Sequence, residues 1–517
     1  MTAMACLLAM AYDITPILQL GCVRFYPDFT GEKHSVCHDC GMRTRPPHLV
    51  RLTTCVIAIT LTTTIGLFAA APSPIQAQGG RVLAVAAPFP TVADGLSFDA
   101  LKAFWNGDAS ALRTISNNGV PPTLFVAGET LTALKSVLGE PRGNSSIKVV
   151  GANDLLAVAW SARPTSFSIL PFDQLDVRWK LLHVDNINLF DKSADMTRYR
   201  LIVGGAPNRD VNKMTVVAMT GTTAMVRGTA VMMERKGVIY PGAAIRDWLK
   251  SADITHISNE VSFWDKCPKP TFNDGTTMCS APKYIELLKD VGANVIELTG
   301  NHLWDRGADK LLDTLDRYDQ LGWKYFGGGR TAASALDAAK FDLNGNKIAF
   351  VGCNWFGPDW VTDKLPGSAV CGSKHPHDLD LIIGAIKKAR AEGYQVIATI
   401  QYLELYNYEA TPEQVRDFNA LREAGAVVVN GSQGHHVQGF SVNDKGFAHY
   451  GVGNLFFGDQ VGIGTHQTFV DRHVFYNNRY LGADLRSAFI VDYSQPVPMN
   501  DKDRAALLAK LFAVSGW

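Results

Sequence analysis

Residues 295–309, VIELTGNHLWDRGAD, decide how this chain folds. The apolar run Val295, Ile296 and Leu298 has the character of a buried strand end, and Gly300 permits a sharp turn. Asn301 and His302 follow at once, at the C-terminal end of that strand, where open α/β sheets place their chemistry. An Asn oxygen and an imidazole nitrogen side by side on one turn can both face a metal ion or an anion. Asp305 and Gly307 open the next helix, where an acidic residue suits the first turn. A lone histidine in such a turn is more often a hydrogen-bond partner of the backbone than a ligand. Here similar polar strand ends recur downstream.

Outward from this stretch, the strand MTVVAMTG (214–221) leads to a turn with Thr222, Thr223 and Arg227. DITHISNE (253–260) ends in Asn259 and Glu260, and VIATIQYLE (396–404) in Gln401 and Glu404. AVVVNGSQGHHVQ (426–438) ends in Ser432, Gln433, His435, His436 and Gln438, and HYGVGNLFFGDQ (449–460) carries Asn454. Amphipathic stretches such as ADKLLDTLDRYDQLG and PEQVRDFNALREAG lie between them, with apolar residues at helical spacing. Gly327 to Gly329 precede a further helix, as in anion-binding loops. They lack the lysine of a P-loop and fit a plain strand-to-helix turn.

Parallel-type strands that each end in nitrogen or oxygen donors converge at one sheet edge. Such a pocket suits a borderline-hard divalent cation, which would polarise a phosphoryl or carbonyl oxygen and lower the pKa of bound water. Glu260 or Glu404 would then serve as general base, and Arg227 would neutralise an anionic substrate. The competing expectation is a polar network that only pins loops.

Composition narrows the partners. Lys+Arg and Asp+Glu both number 49 in 517 residues, a formal net charge of +0, so nothing suggests nucleic acid or a polybasic membrane-surface module. The length of 517 residues is enough for two or three domains, and hydrophobic residues make up 47%, so large cores can form. Arg43, Arg45 and Arg51 precede the apolar stretch Leu52 to Ala71 and the small, polar PSPIQAQGG. That is the layout of a secretory signal over 42–78, with cleavage near Ala77 or Gln78. The apolar segment is also long enough to stay as a membrane anchor. Residues 1–41 fit no signal and read as a mis-called or disordered leader, with Met42 a natural start. Of nine cysteines, four follow the signal. An even number in an exported chain permits two disulfides, and sequence neighbours suggest Cys267–Cys279 and Cys353–Cys371.

Residues 80–205 alternate strand-like and helix-like runs and form a smaller α/β domain, ending at the polar break APNRDVNK (206–213). LSFDALKAFWNGDA (96–109), FSILPFDQL (167–175) and WKLLHVDNINLF (179–190) resemble segments of phosphate-type periplasmic solute-binding proteins, over roughly half such a fold. No Ser/Thr/Gly phosphate cradle is evident there.

The order of motifs over about 212–495 resembles the CapA-type capsule-biosynthesis family linked to poly-gamma-glutamate, itself similar to calcineurin-like metallophosphoesterases. SNE matches the family's strand end at Asn259 and Glu260. Asn301, His302 and Asp305 match its Asn-His-x-x-Asp turn, GSQGH matches its His-His-Pro-His pattern with His435 as the last His, and YGVGNLF places Asn454. The resemblance implies a metallophosphoesterase-like αββα sandwich, with residues 496–517 a C-terminal helix or tail. It implies metal ligands among Asn259, Glu260, Asn301, His302, Gln433 and His435, and catalytic roles for Glu260, His302, Glu404 and His435. Substrate contacts fall to Arg227, His436 and Asn454. Three departures matter. Thr222 stands where the family strand ends in Asp, Gln401-Tyr402-Leu403 replaces a His-Trp-Gly turn, and Gln433 replaces a His. One divalent ion (Mn, Zn or Fe) is therefore expected over a dinuclear centre.

The expectation is an exported protein, extracellular or held at the cell surface, in envelope or capsular polymer metabolism. It would perform metal-assisted hydrolysis or transfer on an anionic polymer or phosphoester, with capsule-assembly membrane proteins as partners. A catalytically weakened factor that binds polymer without metal is the alternative. A small-anion receptor built on residues 80–205 is the third. Fold resemblance does not decide among them.

Overall fold

A computed structural model describes residues 80–517, apart from 144–145, 274, 276–277, 358–365, 376 and 459–460. The leader (1–41) and the signal or anchor (42–78) lie outside the described residues. Among the described residues the strands form three large sheets and one two-stranded ribbon.

The first sheet runs in the order Gly95–Leu96, Trp179–Val184, Arg81–Pro88, Ser166–Pro171, Thr123–Ala127, Ile147–Val150. Its centre is the apolar strand Arg81–Pro88, buried from Val82 onward. Its core is continuous with residues of the second sheet, Met214, Val216, Val474, Tyr476 and Leu481. The polar break therefore separates two sheets that share one core, and the described residues from 80 to 517 fall in one compact unit.

The second sheet runs Lys324–Phe326, Val295–Glu297, Ile254–Asn259, Met214–Thr220, Gln467–Tyr476, Arg479–Val491, Gln495–Pro498. The first four are parallel and the rest antiparallel. The third runs Ala339–Leu343, Asn346–Asn354, Gln395–Gln401, Ala426–Ser432, Phe447–His449, Phe440–Val442, with its middle four strands parallel.

These two sheets pack face to face. Val217, Met219, Ile254, Val295 and Phe326 of one meet Ile348, Phe350, Ile397, Val428 and Phe447 of the other in a single core. Each such side chain contributes about 1.5–3 kcal/mol when fully buried. Helices cover both outer faces. Leu249, Leu287, Leu288, Leu311 and Leu315 pack outside the second sheet, and Ile382, Ile386, Phe418 and Leu421 outside the third. The fold is an αββα sandwich preceded by a smaller α/β unit. The helix Asp501–Val514 sends Leu507, Leu508, Leu511 and Phe512 into the sandwich core.

Alternation along Val295–Glu297 explains the site. Val295 faces the sandwich interior, while Ile296 and Leu298 face the helices. Glu297 therefore falls on the interior side, a carboxylate 2% exposed in the middle of the fold.

Candidate functional site

The parallel strands of both sheets end at one edge, where side chains from four strand ends meet. Gln401 lies at their centre. Its Nε2 lies 3.1 Å from Glu260 Oε1 and 3.2 Å from Asn301 Oδ1, and also meets Gln433 Oε1, three acceptors sharing two N–H hydrogens. Glu260, Gln401 and Gln433 are at most 1% exposed. Gly300 is required here for close approach. A Cβ on it would lie 2.7 Å from Glu260 Cα, so any side chain would push the Asn301-His302 turn off the neighbouring strand.

Beneath the cluster runs a buried polar seam. Ser432 Oγ lies 2.9 Å from Gln401 Oε1 and 2.9 Å from Glu297 Oε1. Thr299 Oγ1 donates to the same carboxylate at 2.5 Å, and His256 Nε2 lies 3.0 Å from its other oxygen. Burial alone would raise Glu297. The His256 hydrogen bond and charge, with the two hydroxyls, outweigh it and hold the carboxyl below its ordinary value.

At the rim, His302 Nδ1 lies 2.8 Å from Asp305 Oδ2. Burial pulls this imidazole down, but the Asp305 hydrogen bond and the Glu260 and Asp305 carboxylates win, so it is held above its ordinary pKa. Arg227 opposes that shift, which places its charge in the same field. Arg227 adopts a positive φ of 45°, donates to Gly275 O at 2.8 Å and lies 5.9 Å from the Phe457 ring centre. Met278 N donates to Asp305 Oδ2 at 2.7 Å. The loop closed by Cys267–Cys279 thus braces both Arg227 and Asp305. Both disulfides expected from the sequence, Cys267–Cys279 and Cys353–Cys371, are present.

His435 stands beside this rim, 4.9 Å from Phe457 and 6.2 Å from Tyr406 between ring centres, with Nδ1 2.8 Å from Asn454 Oδ1. Asn454 is held by a bridge to Thr222, where a Cβ on Gly221 would lie 1.9 Å from Gly453 O.

Three residues expected in the site are directed elsewhere. Asn259 turns to the helix layer, where its Nδ2 donates to Val261 O at 2.8 Å and Tyr318 OH at 2.9 Å. It follows Ser258 on an extended strand, so it faces the opposite side from Glu260. His436 packs edge-on against Tyr408 at 4.1 Å with Nδ1 2.9 Å from Val437 O, and burial lowers its pKa. Glu404 lies beyond the end of its strand and is exposed, accepting from Tyr406 OH at 2.7 Å. Conversely, the sequence did not single out His256, Glu297 or Thr299. A carboxylate inside the apolar run VIEL was the available signal.

The donor set does not fit a divalent cation well. Among the described residues no three His, Cys, Asp or Glu side chains are grouped to hold one. The oxygens of Glu260, Asn301 and Gln433 already meet an amide nitrogen. The Thr222 hydroxyl, in the family's Asp position, is buried without a hydrogen-bond partner among the described residues.

In the first unit, the helix Phe98–Trp105 is capped by the chain itself. Asp185 Oδ1 accepts from Phe98 N at 2.9 Å while its other oxygen meets Arg200 at 2.7 Å. An open cleft of about 1820 Å³ is bounded by this unit and the helix Asp501–Val514. It is lined by Asp94, His183, Arg198, Arg504, Phe512 and Trp517, away from the strand-end cluster.

The model of the family described as bacterial capsule synthesis protein PGA_cap matches residues 216–459. The capsule biosynthesis protein CapA of Bacillus anthracis is 24% identical over 265 residues, 49% of this chain and 62% of that protein. The PGA biosynthesis protein CapA of Bacillus subtilis (strain 168) is 24% identical over 179 residues, 34% of this chain and 45% of that protein. The chain thus spans less than two thirds of the length of these relatives. Among solved structures, TT1561 of Thermus thermophilus is 9% identical, with a TM-score of 0.27 over 51% of this chain and 99% of that one. A putative phosphate ABC transporter substrate-binding protein with bound phosphate from Clostridium perfringens is 14% identical, with a TM-score of 0.21 over 24% and 53%. At these scores neither adds to the fold seen in the sheets themselves. Residues 216–459, the sandwich that carries the strand-end cluster, thus match the PGA_cap family of bacterial capsule synthesis proteins, and the chain is similar there to the two CapA proteins.

Proposed function

We propose that this protein is an exported capsule-synthesis factor that binds an anionic, amide-linked polymer at the strand-end edge of its sandwich and hands it on without metal chemistry. One observation carries this. His302, its pKa held above the ordinary value by Asp305 and Glu260, shares a rim with Arg227, while the residues behind it are locked into an amide network. A guanidinium beside a hydrogen-bonding imidazole at the mouth of a site suits a polymer carboxylate. The polymer class comes from the relatives named for capsule and PGA biosynthesis. Two disulfides in the fold support export, and no helix among the described residues is long and apolar enough to cross a membrane. Capsule-assembly membrane proteins are the partners this role requires.

Metal-assisted hydrolysis by Glu260, His302 and His435 has one observation in its favour. Each imidazole has its Nδ1 held by a neighbouring oxygen, at 2.8 Å in both cases, which leaves Nε2 to face a ligand. The test is titration of the full exported chain with poly-gamma-glutamate, by calorimetry, before and after treatment with a chelator. Binding that survives chelation and is lost in Arg227→Ala supports the proposal. No binding, or polymer cleavage that requires added metal, rejects it in favour of the hydrolase.

A further inference from the structure

We infer that the terminal amide of Gln401 is a built-in surrogate for a cation, filling the point at the sheet edge where strand-end oxygens converge and closing it to divalent metals. This concerns the same cluster as the polymer-binding proposal, but it does not depend on polymer binding.

Three oxygens from three different strand ends surround one nitrogen: Glu260 Oε1 at 3.1 Å, Asn301 Oδ1 at 3.2 Å, and Gln433 Oε1. An amide nitrogen carries two hydrogens, so it cannot give each of three acceptors its own. Its position is that of a shared positive centre. The opposite end of the amide is fixed from below, where Ser432 Oγ lies 2.9 Å from Gln401 Oε1 and 2.9 Å from Glu297 Oε1. Reversing the amide would bring Gln401 Oε1 against the Glu260 carboxylate oxygen, with no hydrogen between them. The carboxylate therefore favours the orientation with nitrogen toward the strand-end oxygens.

Two further features show that the surroundings are built to hold this arrangement. Gln433 has a φ of 76°, a left-handed conformation a non-glycine residue keeps only where its surroundings enforce it. That backbone carries the oxygen that meets Gln401. Second, Glu260, Gln401 and Gln433 are 1%, 0% and 1% exposed, so the amide occupies space that a hydrated ion would need. A single carboxylate touches the nitrogen, and an amide dipole suits one buried carboxylate at less desolvation cost than an unbalanced divalent charge.

The experiment strips metal from the full chain and titrates it with Mn²⁺ alone, reading free ion by electron paramagnetic resonance and retained ion after gel filtration. Wild type is expected to retain essentially none. Gln401→His, which exchanges the amide for a ligand beside Glu260 and Asn301, is expected to retain about one ion per chain with at least about tenfold tighter binding. Gln401→Ala, which leaves a vacancy among the oxygens, is expected to gain weaker uptake. Circular dichroism confirms that each variant is folded, and if Gln401→Ala is not, Gln401→His decides. Stoichiometric Mn²⁺ binding by wild type that is lost in Gln401→Ala overturns the inference. So does a folded Gln401→His that gains no ion. Polymer titration of the same preparations is read separately, so failure of polymer binding leaves this result standing.

Discussion

The carboxylate of Asp305 and the imidazole of His302 lie 2.8 Å apart across a single turn, and the same carboxylate oxygen accepts the backbone N–H of Met278 at 2.7 Å. Asp305 therefore orients the imidazole and ties it to the disulfide-closed loop. Its hydrogen bond, with the charge of Glu260, holds His302 above its ordinary pKa against the pull of burial. A raised histidine is charged below its folded pKa and neutral above it. Polymer affinity should accordingly be full in mildly acidic buffer and fall as pH rises through that raised value. Asp305→Asn should move the midpoint down, and His302→Ala should cost about tenfold in Kd, about 1.4 kcal/mol, and flatten the profile. Calorimetry across pH 5 to 9, about one pH unit per point, checks both.

Glu297 should act on stability before it acts on binding. It is 2% exposed, and removing one partner of a buried charged hydrogen bond costs about 3–5 kcal/mol. Glu297→Gln keeps the shape but strands His256, so a loss toward the lower end of that range is expected in urea denaturation. Because the carboxyl is held below its ordinary pKa, its contribution is present above the unfolded value and is lost as pH falls through the folded one. The difference between wild type and variant should shrink in acid.

Asp94 links the first unit to the C-terminal helix. It meets Lys180 at 2.8 Å and Arg504 through two contacts, at 2.5 and 2.9 Å. Burial would raise its pKa. The Lys180 charge and the Arg504 hydrogen bond and charge hold it far below the usual carboxylate range. The Asp94 side chain keeps 38% of its exposure, so Asp94→Asn should cost about 2 kcal/mol rather than the full buried-pair value. The effect should appear at neutral pH and vanish in strong acid, as a shift in thermal midpoint.

Opening the Cys267–Cys279 disulfide should harm the site more than the fold. It closes a separation of 12 residues, and a loop of that size is stabilised by about 2–3 kcal/mol. That loop supplies Gly275 O to Arg227 and Met278 N to Asp305. Cys267→Ser with Cys279→Ser should weaken polymer binding while the sandwich remains folded. Thiol titration of denatured, unreduced wild type, residues 80–517 included, should find no free thiol from Cys267, Cys279, Cys353 or Cys371.

Much of the sandwich was legible because its signals are local. Apolar strand runs, amphipathic helices and polar residues just past each strand fix which ends meet, and Glu260, Asn301 and Gln433 do meet. Side-chain direction was less accessible. Asn259 and Glu260 are neighbours in sequence, yet the pleat sends one to Tyr318 and the other to Gln401. Glu404 was grouped with Gln401, but the strand stops at Gln401 and leaves Glu404 in solvent. In the sequence Gln401 reads as one strand-end donor among several and as a departure from a histidine-bearing turn, not as the centre of the cluster. Its place at the centre depends on three residues far away in sequence, which no local pattern encodes.

The helix Asp501–Val514, with Trp517 just beyond it, reaches back to residues near the beginning of the first sheet. Phe512 and Trp517 both pack edge-on against Phe89, at 5.9 and 5.8 Å, and Arg504 grips Asp94. Contacts between such distant residues make folding slow and delay its completion until synthesis has passed this helix. A ribosome-bound intermediate of this protein would lack the helix that seals one end of the sandwich core. Until that helix is made, Phe89 and the apolar end of the core that it covers stay open to solvent.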